Sequence, residues 1–442
     1  MSFEADAKSL TTEEAKLAIN GGTPVRTNPL PLEFPGIHHM NEEEIDAAVR
    51  VLRSRSPFRY YGIDLRGEVD SFESELSEFL GVSHSLAVNS GTGALHVALS
   101  ALAVGPGQEV IVPAYMWVSV IAAILNLGAI PVLADVDDTF CLDPASVEAK
   151  ITSRTAGIIA AHMSGAQADV QTLAALARKH GLFLLEDCAQ CAGGSVGGRK
   201  VGTFGDIAIF SFQMNKNMTS GEGGALVTNN EHLLNRAVAC HDTGYARDTS
   251  GRAMFDRRDL CLWGRGYRMD ELRASILRVQ LRKLPQIVAG MRASKYRLRQ
   301  ALKKFPQITL RRIVDEPGDT GCFLLTTFPT AAVAREVNTA LRAEGIVTFG
   351  QGVSNIVMTE WGLHVYYNIP SLVHKTSVDK SGFPWSLAEN QQSQMEYAKG
   401  TCPYADSLFE RTCLLAVPSS LTERDEQDII AAFDKVLSAV AV

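Results

Sequence analysis

The chain has 442 residues, of which 46% are apolar and 21% are charged, with a net charge of -7 and a pI near 5.9. This length predicts two or three domains, and the acidic balance argues against a nucleic-acid or membrane-surface partner. The start MSFEADAKSLTTEEAKLAI lacks the apolar core of a secretory signal, and a run of about 20 apolar residues is missing, so we predict a cytoplasmic protein without a membrane span.

Residues 1–40 hold few periodic signals and several prolines, and this composition predicts an extended N-terminal arm. The run Asn41-Glu-Glu-Glu then predicts the start of a helix, because Asn41 can cap it and the acids favour its positive end. A second helix is predicted from Val69 to Leu80, with Gly81 as its stop.

Short apolar runs then predict the strands of one sheet, at 85–88, 110–114, 130–134, 157–162, 182–187, 207–212 and 224–228. Helical patterns separate the first five runs, at 93–103, 117–127, 144–151 and 169–180. Apolar strands joined by helical crossovers are typical of a mostly parallel sheet covered on both faces, which is an α/β fold. The last two runs lack a long helix before them, which allows an antiparallel strand.

A long helical pattern from Met269 to Lys304 is interrupted only by Pro285 and Gly290. A second α/β pattern follows it, with strands near 307–312 and 321–327 and helices at 331–344 and 422–440. We therefore predict an arm, a large domain and a smaller C-terminal domain, at residues 1–40, 41–285 and 286–442. The irregular, polar and aromatic stretch 353–405 predicts a functional loop region.

Eight cysteines are scattered along the chain, and only Cys188 and Cys191 form a C-x-x-C pair. A zinc site needs a second ligand pair, which does not lie nearby in the sequence. We therefore predict buried free thiols in a reducing compartment and no metal.

A glycine-rich turn follows the first predicted strand, where ligands collect in open α/β sheets. The segment Asn89-Ser90-Gly91-Thr92-Gly93 lets backbone N–H groups approach a phosphate at a helix start, or it is only a structural turn. A dinucleotide fingerprint needs a third glycine where His96 stands, which argues against NAD.

Three other candidates are ambiguous when each is taken alone. Asp187 follows an apolar strand and is either a helix cap or an active-site acid, and Trp117 is either core packing or a ring face. Lys216 lies between two apolar runs, with Ser211 and Thr219 as nearby donors. Together these groups suit pyridoxal phosphate, which needs a Schiff-base lysine, a carboxylate for its pyridine nitrogen, an aromatic face and a phosphate cup.

Several segments resemble the DegT/DnrJ/EryC1/StrS family of sugar aminotransferases, which are fold-type I enzymes that use pyridoxal phosphate. They are NSGTGAL (89–95), EVIVPAYMWVSV (109–120), AHMSG (161–165), LLEDCAQ (184–190), GTFGDIAIFSF (202–212), KNMTSGEGGALVTNN (216–230) and YRMDELRASI (267–276). The segments LAINGGTPVR (17–26) and FRYYG (58–62) look like a branch that acts on keto-sugars, octulosonates or inososes. The resemblance implies a homodimer with each active site at the subunit interface.

By this resemblance, Lys216 forms the Schiff base, Asp187 pairs with the pyridinium nitrogen and Trp117 stacks on the ring. Gln190 would reach the phenolic oxygen of the cofactor. The phosphate would be held by Gly91, Thr92 and Ser211.

One segment departs from the family pattern G-x-N-Y-R, whose asparagine reaches the phosphate of the partner subunit's cofactor. Here the segment is Gly264-Arg265-Gly266-Tyr267-Arg268, with glycine at the asparagine position. Either Arg265 or another group replaces the asparagine, or the contact is missing.

Candidate substrate contacts lie in EWGLHVYYN (360–368) and at one strand end. Trp361, His364 and Tyr366 combine aromatic faces with hydrogen-bonding groups, as a polyhydroxylated ring requires, or half of this segment is domain core. His162 is either a substrate contact or a hydrogen-bonded core histidine.

We therefore expect an aminotransferase that takes an amino group from glutamate or glutamine and passes it to a keto or aldehyde group of a sugar, octulosonate or cyclitol, within natural-product or glycan biosynthesis. A lyase or carbon–carbon bond-forming enzyme acting on an amino acid would use the same cofactor residues. A non-catalytic protein of this fold is disfavoured because Lys216 is present, and so is the family's dehydratase branch, which has histidine there.

Overall fold

The computed structural model describes residues 16–248, 251–348 and 354–440. Residues 1–15 of the predicted arm, and residue 353 at the start of the predicted loop region 353–405, lie outside the described residues. The α-helices are α1 Glu42–Ser54, α2 Glu68–Leu80, α3 Gly91–Ala101, α4 Ser119–Asn126, α5 Pro144–Lys150, α6 Val170–His180, α7 Glu231–His241, α8 Glu271–Leu302, α9 Ala331–Ala343, α10 Pro370–Val373, α11 Pro403–Arg411 and α12 Glu423–Ala439. The strands are β1 His84–Val88, β2 Glu109–Pro113, β3 Ile130–Ala134, β4 Thr155–Ala161, β5 Phe183–Asp187, β6 Ser195–Val196, β7 Arg199–Lys200, β8 Ile207–Ser211, β9 Gly224–Thr228, β10 Thr309–Leu310, β11 Phe323–Thr327, β12 Asn355–Val357 and β13 Thr412–Ala416. Within these ranges, every helix is too short or too polar to cross a bilayer.

The first helix begins, and the second helix ends, where the sequence predicts. The Asn41 side chain accepts a hydrogen bond from Glu43 N at 2.9 Å, and Glu44 accepts one from Asn41 N at 2.9 Å, which makes a capping box at the start of α1. After α2, Gly81 adopts a φ of 73°, in the left-handed region where a residue without Cβ meets no steric penalty.

The main sheet has the strand order β1-β9-β8-β5-β4-β2-β3. Strand β9 is antiparallel to β1 and β8, and the remaining pairs are parallel, which confirms the predicted mostly parallel sheet with an antiparallel member. Strands β2, β3, β8 and β9 consist of buried residues only, as expected for a sheet covered on both faces. Since β9 is antiparallel to both β1 and β8, β1 runs in the same direction as β8 and β5. The carboxyl ends of β1, β5 and β8 therefore lie at the same edge of the sheet.

Helix α8 continues through Pro285 and links the two parts of the chain. Its first half contacts α1, where Lys283 and Glu44 form an ion pair at 2.8 Å. Its second half contacts α12, where Arg297 and Glu426 form one at 2.6 Å. The division into domains near residue 285 stays a prediction.

A second sheet of order β10-β11-β13-β12 is antiparallel throughout. The predicted strand at 321–327 and the helices at 331–344 and 422–440 correspond to β11, α9 and α12. The predicted strand at 307–312 is reduced to the two residues of β10, and the sequence pattern does not predict β12, β13 or α11. Strand β13 follows α11 without a turn residue between them, so its short apolar run cannot be told from a helix end by periodicity.

The described part of the arm passes beside the predicted lysine. Gly36 N donates to Lys216 O at 3.1 Å. A Cβ on Gly36 would lie 2.9 Å from Gln280 Oε1, so glycine permits this close approach. The contact places Glu33 and Pro35 at the wall of the cavity that Lys216 lines.

Candidate active site

Two adjoining compartments open at the carboxyl edge of the main sheet. The inner compartment has a cavity volume of about 370 Å³, and its lining contains Gly91, Thr92, Trp117, Asp187 and Ser211. The outer compartment is small, with a cavity volume of about 60 Å³, and its lining contains Glu33, Cys322, Phe323 and Trp361. The residues that line both are Ala189, Gln190, Asn215, Lys216 and His364. Lys216 therefore lies at the junction of the two compartments.

Lys216 is half-buried in the turn that follows β8. Its backbone N donates to Gln213 O at 3.0 Å, a hydrogen bond within the turn. Within the described residues, its Nζ makes no hydrogen bond. Burial lowers the pKa of Lys216, and the nearby Asp187 and Cys322 oppose that shift. A lysine amine with a lowered pKa is more often neutral, as a nucleophile must be.

Asp187 is the last residue of β5 and is only 7% exposed. Its Oδ1 accepts a hydrogen bond from Ala189 N at 3.0 Å. Burial raises the pKa of Asp187, while the Ala189 N–H, Lys216 and His162 oppose that shift. A buried carboxylate that lines a cavity is stabilised by a cation placed there, so the position suits an active-site acid. It does not suit a helix cap, because the chain continues from β5 into turns and β6 and not into a helix.

Gln190 and His364 fix one another between the two compartments. Gln190 Oε1 accepts a hydrogen bond from Ser164 N at 2.9 Å, so its Nε2 is the donor to His364 Nε2 at 3.1 Å. His364 Nδ1 in turn donates to Trp361 O at 3.1 Å. Burial, together with the charge of Lys216, lowers the pKa of His364 to about 3. His364 is therefore neutral, with its proton on Nδ1.

Hydroxyl groups gather at the N-terminus of α3. Thr92 Oγ1 lies 2.7 Å from Ser119 Oγ, and a Cβ on Gly91 would lie 2.7 Å from Ser211 Cβ. The structure thus brings the predicted residues Gly91, Thr92 and Ser211 together, and a helix N-terminus surrounded by donors suits a phosphate. Sequence reasoning missed Ser119, although a hydroxyl two residues after Trp117, in the first turn of the helix predicted at 117–127, was an available signal.

The Trp117 indole is 42% exposed and lines the inner compartment. Its ring centroid lies 4.8 Å from that of His364, with an interplanar angle of 50°. A large aromatic group exposed to a cavity suits stacking on a ligand ring and does not suit core packing.

His162 is buried behind Asp187, with its backbone N donating to Asp187 O at 3.0 Å. Its Nδ1 accepts from Ala168 N at 3.1 Å, which leaves the proton on Nε2, and Nε2 lies 3.1 Å from Glu186 Oε2. Both ring nitrogens are thus used inside the protein, as in a hydrogen-bonded core histidine, although the ring also contributes to the wall of the inner compartment.

The ligand atoms of His162, Glu186 and Cys188 lie within 4.8 Å of one another. The Glu186 carboxylate already accepts backbone hydrogen bonds from Gly202, Phe204 and Gly205. Burial and the charge of Glu186 raise the pKa of the Cys188 thiol well above its usual value, so it stays protonated. This arrangement anchors the segment after β7 and offers no thiolate.

The predicted substrate segment divides between the cavity and the core. Trp361 lines the outer compartment, packs edge-on against Phe323 with centroids 5.5 Å apart, and has no hydrogen-bond partner for its buried Nε1 within the described residues. Tyr366 is fully buried, and its hydroxyl donates to Asp406 Oδ1 at 2.9 Å. Tyr366 therefore lines neither compartment.

The segment that departs from the family pattern lies at the surface. Gly266 is exposed with a φ of 69°, and Tyr267 O accepts a hydrogen bond from Asn89 N at 2.8 Å. Arg265 is exposed and lines neither compartment of its own chain. Burial, together with the charge of Arg265, lowers the pKa of His96 to about 4. A role for Arg265 across a subunit interface stays a prediction.

The chain is similar to known proteins in both sequence and structure. Residues 38–350 match the DegT/DnrJ/EryC1/StrS aminotransferase family. The L-glutamine:2-deoxy-scyllo-inosose aminotransferase of Streptoalloteichus tenebrarius is 35% identical over 95% of this chain and 97% of its own length. The GDP-perosamine synthase of Vibrio cholerae is 39% identical over 52% of this chain and 61% of its own length. The X-ray structure of the aminotransferase from Psychrobacter cryohalolentis shares 27% identity, covers 93% of this chain and 99% of its own, and has a TM-score of 0.73.

Proposed function

Because the chain belongs to the DegT/DnrJ/EryC1/StrS aminotransferase family, we propose that it moves an amino group from glutamine or glutamate to a keto or aldehyde group of a sugar, octulosonate or cyclitol. The family match and the structural neighbours identify an aminotransferase of fold type I that uses pyridoxal phosphate. The observation that carries the proposal is the position of Lys216, at the junction of the two compartments and near the buried Asp187.

The inner compartment fits this cofactor. The buried Asp187 carboxylate suits a pyridinium nitrogen, and the half-exposed Trp117 indole suits the ring. The hydroxyls at the start of α3 suit the phosphate. Glycine at position 91 leaves space there, because a Cβ at this position would press on Ser211.

Bound pyridoxal phosphate supplies an electron sink that stabilises negative charge on the carbon of an attached amine. We assign Asp187 the task of holding the proton on the ring nitrogen, where each pKa unit of preference is worth about 1.4 kcal/mol. Lys216 Nζ, whose pKa is lowered by burial, is the group that takes the proton from the substrate carbon and delivers it to a neighbouring atom. Gln190, held by Ser164 N and His364, keeps one orientation toward the ligand.

We also propose a homodimer with its active sites at the subunit interface. Large apolar side chains are highly exposed on the single chain, with 74%, 74%, 72% and 95% exposure at Tyr61, Ile63, Phe255 and Trp263. Exposed apolar surface of this kind is commonly covered by a partner. Light scattering after size exclusion should give twice the chain mass of 47.8 kDa, and a monomer mass would refute the dimer.

The cysteines support a reducing compartment, and we propose the cytoplasm. All eight are free, and all but Cys261 are buried, as the sequence predicts.

A lyase or carbon–carbon bond-forming activity would use the same residues, but the relatives do not favour it. The two activities differ in whether the amino group stays on the enzyme. Holoenzyme mixed with glutamine or glutamate, without an acceptor, should release one equivalent of 2-oxo acid per site and then stop, and a keto-sugar or cyclitol should restart it. Continued turnover without an acceptor, or no 2-oxo acid from any amino donor, would overturn the proposed function.

A further inference from the structure

The Gln190 side chain is held by a buried network that extends away from the cavity. Ser164 N can only donate a hydrogen bond, so the atom of the Gln190 amide that lies 2.9 Å from it is Oε1. The Nε2 group has a pair of N–H bonds, and it donates one of them to His364 Nε2 at 3.1 Å. Gln190 lines the inner compartment, and within the described residues the other N–H has no protein acceptor. That N–H is available to a ligand.

Ser164 has an unusual backbone conformation, which its surroundings fix. Its φ of 52° and ψ of 41° lie in the left-handed region, which residues with a side chain seldom occupy and keep only where several contacts hold them. The residue is fully buried, and each of its polar groups has a partner. Its N donates to Gln190, its O accepts from Arg311 Nη1 at 3.4 Å, and its Oγ lies 2.6 Å from the Tyr115 hydroxyl. A strained turn held by these contacts therefore presents its N–H to Gln190.

Tyr115 connects the two ends of this network. Its ring is fully buried just after β2, and burial raises the pKa of its hydroxyl, which therefore keeps its proton. The next residue, Met116, donates its backbone N–H to His364 O at 3.0 Å. The Tyr115 segment thus contacts Ser164 through a side chain and the His364 segment through the backbone. Together these contacts form a closed ring that includes Gln190.

We propose that Tyr115 and Ser164 are positioning residues for the cofactor, which set the Gln190 amide so that its Nε2 faces the phenolic oxygen. A turned amide would place its acceptor oxygen against the phenolic oxygen and its Nε2 against the Ser164 N–H, and both contacts are unfavourable. A donor at the phenolic oxygen favours the deprotonated form of the bound cofactor, so it lowers the pKa of that group. This inference rests on the role of Gln190 within the proposed function.

The test is a pH titration of the visible absorbance of the bound cofactor in the holoenzyme. Gln190→Leu removes the donor and should raise the midpoint by about one pH unit or more, as expected for the loss of a hydrogen bond to a charged group. Tyr115→Phe and Ser164→Ala change residues that line neither compartment. Each should raise the midpoint by about 0.5 pH unit, since a misaligned donor keeps only part of its hydrogen bond.

Other titratable groups influence the midpoint itself but are the same in Tyr115→Phe, Ser164→Ala and the natural protein. Those that line the inner compartment are His162, Asp187, Lys216, Glu222 and His364. A difference in midpoint between these proteins therefore reports on the network.

The double variant Tyr115→Phe/Ser164→Ala shows whether the two hydroxyls act as one unit. Because they share one hydrogen bond, the double variant should shift the midpoint no further than the larger single shift. Additive shifts would mean independent effects and would overturn the joint role. If Ser164→Ala does not fold, Ser164→Gly makes the same test, because glycine adopts the left-handed backbone without strain.

Two control variants remove matched buried hydroxyls elsewhere. Tyr397→Phe removes a hydroxyl that donates to Pro131 O at 2.8 Å, and Ser275→Ala removes one that donates to Leu272 O at 2.8 Å. Neither residue lines the inner compartment, so both variants should leave the midpoint unchanged. Shifts in the controls equal to those in the test variants would mean that the midpoint follows the loss of any buried hydroxyl, and would overturn the inference.

The outcomes separate this inference from the claims beneath it. If Gln190→Leu shifts the midpoint but Tyr115→Phe and Ser164→Ala do not, only the present inference fails. If Gln190→Leu also leaves the midpoint unchanged, the assignment of Gln190 to the phenolic oxygen fails with it. The proposed function is judged separately, by the release of 2-oxo acid from glutamine or glutamate by the natural protein.

Discussion

Gln190 Nε2 donates to His364 Nε2 across 3.1 Å, at the boundary between the inner and outer compartments. This bond joins the end of the main sheet to the loop region, since Gln190 follows β5 and His364 lies beyond β12. With Ser164 N on the other side of the Gln190 amide, neither side chain can turn without losing a hydrogen bond. Through His364, the loop region therefore positions Gln190, a predicted cofactor residue.

The neutral state of His364 makes stability depend on pH. Burial and Lys216 lower the pKa of His364 from 6.5 to about 3, so between these values the unfolded chain binds a proton that the folded chain does not. The free energy of unfolding should therefore fall as the pH drops below about 6.5, by up to about 1.4 kcal/mol per pH unit for one such histidine. Urea unfolding of the holoenzyme at several pH values should show a flatter slope in His364→Gln, and equal slopes would contradict the assignment.

Lys216→Ala should reduce turnover by about 1000-fold or more and leave a folded protein, because it removes the covalent link and the proton carrier without removing core volume. Borohydride reduction and peptide mapping of the natural protein should place the cofactor on Lys216. Lys200→Ala is the matched control, since the Lys200 amine packs over the Phe79 ring at 4.7 Å and lines neither compartment. Cofactor found on another lysine, or turnover retained in Lys216→Ala, would refute the role.

Asp187→Asn should keep bound cofactor and lose activity by about 100-fold, because an amide cannot hold the ring nitrogen protonated and each lost pKa unit costs about 1.4 kcal/mol. Cofactor content by absorbance and kcat are measured together. Asp143→Asn is the control, since Asp143 only caps α5 and asparagine caps equally well. Near-natural kcat in Asp187→Asn would leave Asp187 with only a structural role in the turn after β5.

The sheet and the predicted cofactor residues were accessible from the sequence because their signals are local. Strand ends, glycine-rich turns and a lysine between apolar runs can each be recognised within a few neighbours, and the parallel topology then brings Gly91, Asp187 and Lys216 to one edge.

The remaining contacts depend on pairings between distant parts of the chain. Gln190 and His364 are 174 positions apart, and Glu33 lines the cavity next to the place where Gly36 bonds to the backbone of Lys216. Tyr366 shares its segment with His364 but turns toward Asp406, a choice made in short irregular turns that have no period to predict it.

The last prediction concerns Arg265, which we expect to take the place of the family's cross-subunit asparagine on the partner's cofactor phosphate. Arg265→Ala should weaken pyridoxal phosphate binding by about 1.5–3 kcal/mol, as for a hydrogen bond to a charged group. The control Arg258→Ala removes the same charge from an exposed position of the same loop and should leave binding unchanged. Gly266→Asn restores the family residue, and it can be accommodated because its Cβ meets nothing within 4 Å and asparagine tolerates the left-handed φ of 69°.

A mixed dimer decides whether Arg265 acts across the interface. When Lys216→Ala and Arg265→Ala subunits are combined at limiting pyridoxal phosphate, an arginine acting in trans leaves one complete site, which has Lys216 from one subunit and Arg265 from the other. Activity should then exceed that of either parent homodimer and approach half of the natural value per mixed dimer. An arginine that serves its own subunit leaves both sites of the mixed dimer defective, so the absence of any recovery would place Arg265 in cis. Unchanged affinity in Arg265→Ala would remove it from the phosphate site altogether, because a charged ligand to a dianion cannot be lost without a measurable change.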